Sequence, residues 1–174
     1  MELLTPRLSL RPFEKSDITT TYLGWLNDSF VTRFSNQRFR RHTKESSEAY
    51  LSGFAETSNS FLLIKKRSDN KSIGTATVYQ NINHSTADIG LMLGDRSCWG
   101  KGYGGEAWLG IITNLLSINS IRKVTGGTVR TNYAMVRIME KSGMELEAVH
   151  ARQELIEGQP VDLLYYALFA ESAP

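Results

Sequence analysis

Residues 97–108, SCWGKGYGGEAW, place four glycines in six positions, Gly100, Gly102, Gly104 and Gly105, just ahead of an apolar stretch of helical period. Glycine inside a helix costs up to about 1 kcal/mol relative to alanine, so the cluster marks a backbone that must turn sharply or approach a ligand closely. Three chemistries use such a stretch. A dinucleotide site matches G-x-G-x-x-G through Gly100, Gly102 and Gly105, but it also needs an acidic residue ~20 positions on to hold the ribose; no Asp or Glu lies between Glu106 and Glu140. A P-loop needs Ser or Thr after its lysine, and here Lys101 is followed by Gly102. The third is a pyrophosphate cradle: successive N–H groups of a glycine turn form an anion site, and a helix start adds partial positive charge. Lys101 adds a full one.

The flanking elements decide whether such a cradle can be held in place. RLSLRPF (7–13) alternates apolar and polar residues with the period of a half-buried strand. Ser16 or Asp17 can cap a helix carrying Ile18, Tyr22 and Trp25 and ending near Asn27, and a second helix is expected from Thr43 to about Phe54. FLLIKK, SIGTATVYQ and ADIGLMLG read as three strands joined by the hairpin turns RSDN and NINH. Trp108, Ile111, Ile112, Leu115 and Leu116 recur at helical spacing, so the glycines open a helix from about Gly104 to Ser117 with one buried stripe. KVTGGTV is a further strand, Met135, Ile138 and Met139 give a short helix stopped by Gly143 as left-handed cap, and LEAVHARQEL with VDLLYYALF form a final hairpin around IEGQP. This order predicts an α/β fold with a mixed sheet and helices on its faces.

Composition narrows the partners. The length of 174 residues fits one domain, 1–174, with a single core. A net charge of +2, spread along the chain, gives no reason to expect direct nucleic-acid binding. Cys98 is the only cysteine, so no intrachain disulfide or cysteine-based zinc cluster can form. Glu2 and Arg7 interrupt the first apolar stretch, and no apolar run approaches the ~20 residues of a membrane span. A cytoplasmic protein without a metal is expected.

The stretch WGKGYGGEAW after ADIGLMLG resembles the GNAT superfamily of N-acetyltransferases, whose motif is Q/R-x-x-G-x-G/A after a central strand. Trp99 stands where that motif has Gln or Arg. TPRLSLRPFEKSD, WLND and NYAMVRIMEKSGM resemble three further segments of the branch that acetylates ribosomal-protein N-termini, polyamines and amino sugars. The resemblance implies a mostly antiparallel, splayed central sheet with helices on both faces. It also implies acetyl-CoA as co-substrate, its pantetheine along the backbone of Leu91, Met92 and Leu93 and its pyrophosphate on Gly100, Lys101, Gly102, Tyr103, Gly104 and Gly105. Asn132, an apt N-cap, would hydrogen-bond the cofactor near its amide or thiol end. Acetyl would pass to a primary amine, on a protein N-terminus or a small molecule, by direct attack in a ternary complex; the alternative is an inactive CoA-binding or sensing module.

The acid and base are less apparent. Alternation puts Asp88 on one face with Gly90 and Met92; the resemblance implies that a carboxylate near here takes the acceptor's proton, whereas an ordinary strand carboxylate would be solvated or paired. Glu154 and His84 are further candidates for that task. Met135 and Met139 occupy positions where related branches have Ser and Tyr, and neither can donate a proton; Tyr133 or solvent would have to protonate the leaving thiolate. The basic run RFSNQRFRRH lies between the first two helices, a region that helps form the family's acceptor site. A charge run is usually a solvated face, but Arg33, Arg40 and Arg41 would suit an anionic acceptor, such as a nucleotide-linked amino sugar or a ribosome-bound protein near RNA phosphate. Trp25 and Phe34 could wall that site, with core packing the competing role for Trp25. The last hairpin could pair two copies into a homodimer.

Overall fold

The computed structural model describes residues 1–117 and 120–170. Eight strands form one sheet in the order β1-β2-β3-β4-β5-β6-β8-β7, with ranges β1 Leu3–Leu4, β2 Leu8–Pro12, β3 Ser60–Lys66, β4 Ser72–Asn81, β5 Thr86–Leu93, β6 Lys123–Val129, β7 Glu145–Ile156 and β8 Gln159–Phe169. Every neighbouring pair is antiparallel except β5 and β6. The helices are α1 Thr20–Leu26, α2 Ser29–Thr32, α3 Lys44–Ser52, α4 Tyr103–Leu116 and α5 Tyr133–Lys141. The expected order of elements holds, with β1 and α2 added; both are too short to leave a periodic signal.

Alternation along β3 explains why helices cover both faces. Leu62 and Ile64 join the larger core with Trp108, Ile111, Ile112 and Leu115 of α4 and Met139 of α5. Phe61 and Leu63 turn the other way, into a second cluster with Tyr22, Trp25 and Leu26 of α1. The sheet is therefore buried by a periodicity of two meeting helices with periodicity near 3.6.

Local chemistry sets the ends. Asp17 does not cap α1, because Arg11 takes both of its oxygens at 2.7 Å; Thr19 caps instead, accepting from Tyr22 N–H at 3.2 Å. At the end of α5, Met144 N–H reaches Met139 O (3.2 Å) and Gly143 N–H reaches Glu140 O (3.1 Å), with Gly143 at φ 83°. This pair of bonds is the Schellman arrangement, and it fixes where the chain leaves the helix. Helix α3 stops at Ser52, short of Phe54. The edge strand β7 carries two register shifts, between Leu146 and Ala148 and between His150 and Glu154. Such bulges twist an edge away from continuous pairing.

Candidate active site

Strands β5 and β6 run in register only over Thr86–Asp88 and Lys123–Thr125, and then part. Beyond Asp88, β5 keeps its ladder to β4 on one side, so the other edge of Ile89–Leu93 borders a gap. The bond from Gly94 N–H to Ile73 O (2.9 Å) fixes which groups face it: Leu91 and Leu93 direct their N–H and C=O into the gap, while Met92 bonds β4. Trp99 Nε1 donates to Leu93 O at 2.9 Å, leaving the Leu91 groups and the Leu93 N–H unpaired there.

The glycine turn closes the end of this gap. Gly100 (φ 73°) and Gly102 (φ 80°) adopt left-handed backbone that side chains rarely tolerate. Gly104 is buried, and a Cβ there would lie 3.2 Å from Ile138 Cδ1 and 3.3 Å from Leu93 Cδ1, so glycine lets α4 seat directly on β5. Glu106 N–H makes the first closing bond, to Gly102 O at 3.0 Å. The N–H groups of Tyr103, Gly104 and Gly105 therefore point out of the helix end, where the partial positive charge is largest.

Arg7, on the approach to β2, clamps this turn. Its Nε meets Glu106 Oε2 at 2.5 Å, its Nη1 donates to Lys101 O at 3.0 Å, and its guanidinium lies 4.4 Å over the Tyr103 ring. Glu106 also accepts from Thr5 Oγ1 (2.6 Å) and Arg7 N–H (2.7 Å). Burial would raise the Glu106 pKa, but these hydrogen bonds outweigh it and hold the carboxyl below its usual range. The sequence pointed to Lys101 as the cation of the turn; Lys101 is exposed and contributes its carbonyl to the clamp, while the ordered cation is Arg7, 94 residues away along the chain and invisible to local spacing.

A single cleft of about 1830 Å³ runs from this turn through the gap to the α1–α3 side. Its far wall includes Tyr22, Phe30, Arg33, Phe34, Arg40, Arg41, His42, Ser47 and Tyr50. Arg33 lies 4.7 Å over Phe34 and 5.8 Å over Trp99, and Arg96 lies 5.7 Å over Trp99 and 4.7 Å over Phe30. This alternating ladder of guanidinium groups and rings fastens the α2 segment to Trp99, and through its indole N–H to β5. The basic run is thus ordered by stacking at one end.

A sequence model of the acetyltransferase (GNAT) domain matches residues 7–145. The chain belongs to the GNAT acetyltransferase family. No curated protein sequence matches it. Among solved structures, similar ones are a GNAT-family acetyltransferase from Bacillus anthracis (TM-score 0.83, 21% identity, covering 99% of this chain and 100% of that one) and RimL, a ribosomal L7/L12 α-N-protein acetyltransferase in complex with coenzyme A (0.84, 18%, 98% and 98%). A spermidine N-acetyltransferase from Vibrio cholerae in complex with CoA and spermine is similar as well (0.84, 16%, 95% and 97%). At these identities the likeness is one of fold.

Against this GNAT cleft, the expected site residues divide. Leu91, Leu93, Gly100, Gly102, Tyr103, Gly104, Gly105 and Asn132 border it, as do Arg33, Phe34, Arg40 and Arg41. Asn132 both caps α5, accepting from Met135 N–H at 3.4 Å, and donates to Thr128 Oγ1 at 3.0 Å. Met92 borders the cleft too, but with its backbone committed to β4 it offers only a side chain. Trp25 does not wall the acceptor site: it is 8% exposed and packs on Gly94, where any Cβ would collide with its ring. Met139 touches the lining of the cleft but is fully buried against Gly126, and Tyr133 is 76% exposed outside the cleft.

Asp88 also lies outside the cleft. It is the last β5 residue still paired with β6, opposite Thr125, and the gap opens only beyond it. Its carboxylate accepts from Thr125 Oγ1 at 2.7 Å in an adjoining hollow lined by Tyr79, Gln80 and Lys123. Desolvation of the carboxyl in that hollow raises its pKa, partly offset by the Thr125 hydrogen bond. Glu154 and His84 do not border the cleft either, and Glu106 is its only carboxylate among the described residues.

Proposed function

We propose that this cleft binds acetyl-CoA with its diphosphate on the N–H groups of Tyr103, Gly104 and Gly105 and its pantetheine along Leu91 and Leu93, and passes acetyl to a primary amine entering from the α1–α3 side. The observation that carries this reading is the parting of β5 and β6 beside the unpaired start of α4. An extended amide chain can bond the exposed edge as a strand would, while a dianionic group suits a helix start free of side chains. The donor is then fixed at both ends of its flexible arm, and the protein contributes orientation. CoA-bound structures of similar fold, from a protein N-terminal acetyltransferase and a polyamine acetyltransferase, support this use of the cleft.

In this reading the amine attacks the thioester directly in a ternary complex. An alkylammonium, near pKa ~10.4, must lose a proton first, and a thiol of pKa ~8.5 leaves as the weaker base. No acid is therefore required where Met135 stands. With no carboxylate on the acceptor side, water in the open cleft takes the ammonium proton, and Asp88 is a structural carboxylate next door. The reading of an inactive CoA-binding module rested on Met135 and Met139; the first has no acid's task to perform, and the second is core. A single reduced, buried cysteine suits one domain working in the cytoplasm.

The test is thiol release. Purified protein, acetyl-CoA and a mixed panel of amines should give acceptor-dependent CoA production; a protein that binds acetyl-CoA by calorimetry and yields no thiol with any amine is a binding module.

A further inference from the structure

We infer that the acceptor is a small primary amine bearing an oxyanion, a phosphate or carboxylate, which docks on Arg40 and Arg41; this rests on the N-acetyltransfer reading above. The acceptor wall carries Arg33, Arg40 and Arg41, and among the described residues no carboxylate balances them within the cleft. Glu45, the nearest acid in sequence to Arg41, does not border the cleft, and Asp28 is engaged elsewhere, with Phe30 N–H at 2.8 Å and Arg96 at 3.6 Å. Arg33 is stacked, whereas Arg40 and Arg41 are exposed and make no side-chain hydrogen bond or ion pair among the described residues. Unpaired arginines at the mouth of a cleft hold oxyanions through charge-assisted, often bidentate bonds. They repel a polyamine, whose several ammonium groups would meet only like charge.

A second observation is independent of charge. Ser47, on α3, is 5% exposed and borders the cleft, and its hydroxyl has no hydrogen-bond partner. A buried hydroxyl left unpaired is costly, and here the polar group it lacks is one that a bound acceptor can supply. His42 is held rigidly between Ser47 and the arginines in sequence: Asn27 bonds both its N–H and its C=O at 2.9 Å, and its Nε2 lies 3.0 Å from Gln37 O. The turn bearing Arg40 is also fastened across the sheet, where Arg38 Nη2 donates to Leu155 O at 3.0 Å. The backbone that carries the cations is therefore anchored, so an oxyanion has only the two side chains to order.

The experiment compares matched acceptors in the thiol-release assay at low and high salt. Glucosamine 6-phosphate is set against glucosamine, a peptide with an acidic residue beside its N-terminus against its amide counterpart, and spermidine is run alone. The expected result is a kcat/KM for glucosamine 6-phosphate ~10- to 100-fold above that for glucosamine, the worth of one or two charge-assisted bonds, shrinking as salt rises. Arg40→Ala with Arg41→Ala should remove most of that advantage, and the paired Lys variants should retain part of it. Ser47→Ala should raise the acceptor KM without lowering Tm, since the hydroxyl it deletes is unpaired in the free protein. Equal use of glucosamine, better use of spermidine, an advantage confined to the acidic peptide, or one that survives the double Ala variant would each overturn the inference while leaving N-acetyltransfer intact. Absence of thiol release with all five amines, in protein that binds acetyl-CoA, would overturn the parent reading and this inference with it.

Discussion

In the proposed reading, the donor half of the cleft is made of backbone and the acceptor half of side chains. On the donor side the ligand-facing groups are the N–H groups of Tyr103–Gly105 and the free edge of Leu91 and Leu93, exposed because two parallel strands part and glycine lets a helix start sit against them. On the acceptor side they would be Arg40, Arg41 and Ser47, carried on short helices and turns. Backbone sites tolerate almost any side chain except where a Cβ cannot fit, so they are written in glycines. Side-chain sites can vary residue by residue, which lets one donor scaffold serve different acceptors.

The sharpest way to break that comparison is to fill the cradle. Gly104→Val should weaken acetyl-CoA binding by roughly 10²-fold or more, because a side chain there pushes against Ile138 and Leu93 and displaces the N–H groups that would hold a dianion. Calorimetry on a variant with a preserved melting transition measures it; unchanged affinity would show that the donor does not rest there. A smaller loss is expected from Arg7→Ala, about 10-fold in acetyl-CoA affinity with a lower Tm, since the clamp on Lys101 O and Glu106 is lost but the N–H groups remain. Glu106 should make that clamp sensitive to acid. Its folded-state pKa is depressed, so its stabilisation is complete above the unfolded carboxylate value and is lost as pH falls through the folded one.

The hinge between the halves offers a finer test. Trp99→Phe keeps a ring between Arg33 and Arg96 but removes the bond to Leu93 O. Both acetyl-CoA and acceptor KM values should rise by about 2- to 5-fold, the worth of one hydrogen bond of ~0.5–1 kcal/mol; a change in the acceptor constant alone would mean that the ladder serves only the acceptor wall. The smallest kinetic effect is expected at Asp88. Asp88→Asn should leave kcat within about threefold, far from the ~10²- to 10⁴-fold cost of deleting a positioned base. Because its folded-state pKa is raised by desolvation, ionising Asp88 opposes folding. That penalty is absent below the unfolded carboxylate pKa of ~3.9 and complete above the folded value, so the variant should melt higher than wild type at pH 7 and converge with it toward pH 4. A 100-fold fall in kcat, partly recovered at high pH, would make Asp88 the base after all.

What the sequence disclosed follows the same division. The strands, the glycine turn and the start of α4 were legible because alternation, helical period and positive φ leave strong local marks. The branch point at Asp88 was not, since register against β6 is a long-range property, and without it Asp88 looked as well placed for chemistry as Leu91. Arg7 was read as a charge in the first apolar stretch and as part of a strand pattern, and its clamp on a turn nearly a hundred positions away depends on β2 lying beside the start of α4. Trp25, between Gly24 and Leu26, takes the core role that competed with the acceptor wall in the sequence, because Gly94 makes room for its ring, which only the fold reveals. Ser47 carried no signal at all; only its burial without a partner distinguishes it.

The central claim is that acetyl-CoA is held by backbone groups where β5 and β6 part. Amide resonances, assigned by NMR and followed as CoA is titrated into the full chain, test it residue by residue. Leu91, Leu93, Tyr103, Gly104 and Gly105 should shift and gain protection from exchange, while Met92, already bonded to β4, should move far less. Saturating CoA that leaves those five amides unchanged, or perturbs Met92 as strongly as its neighbours, would contradict the account.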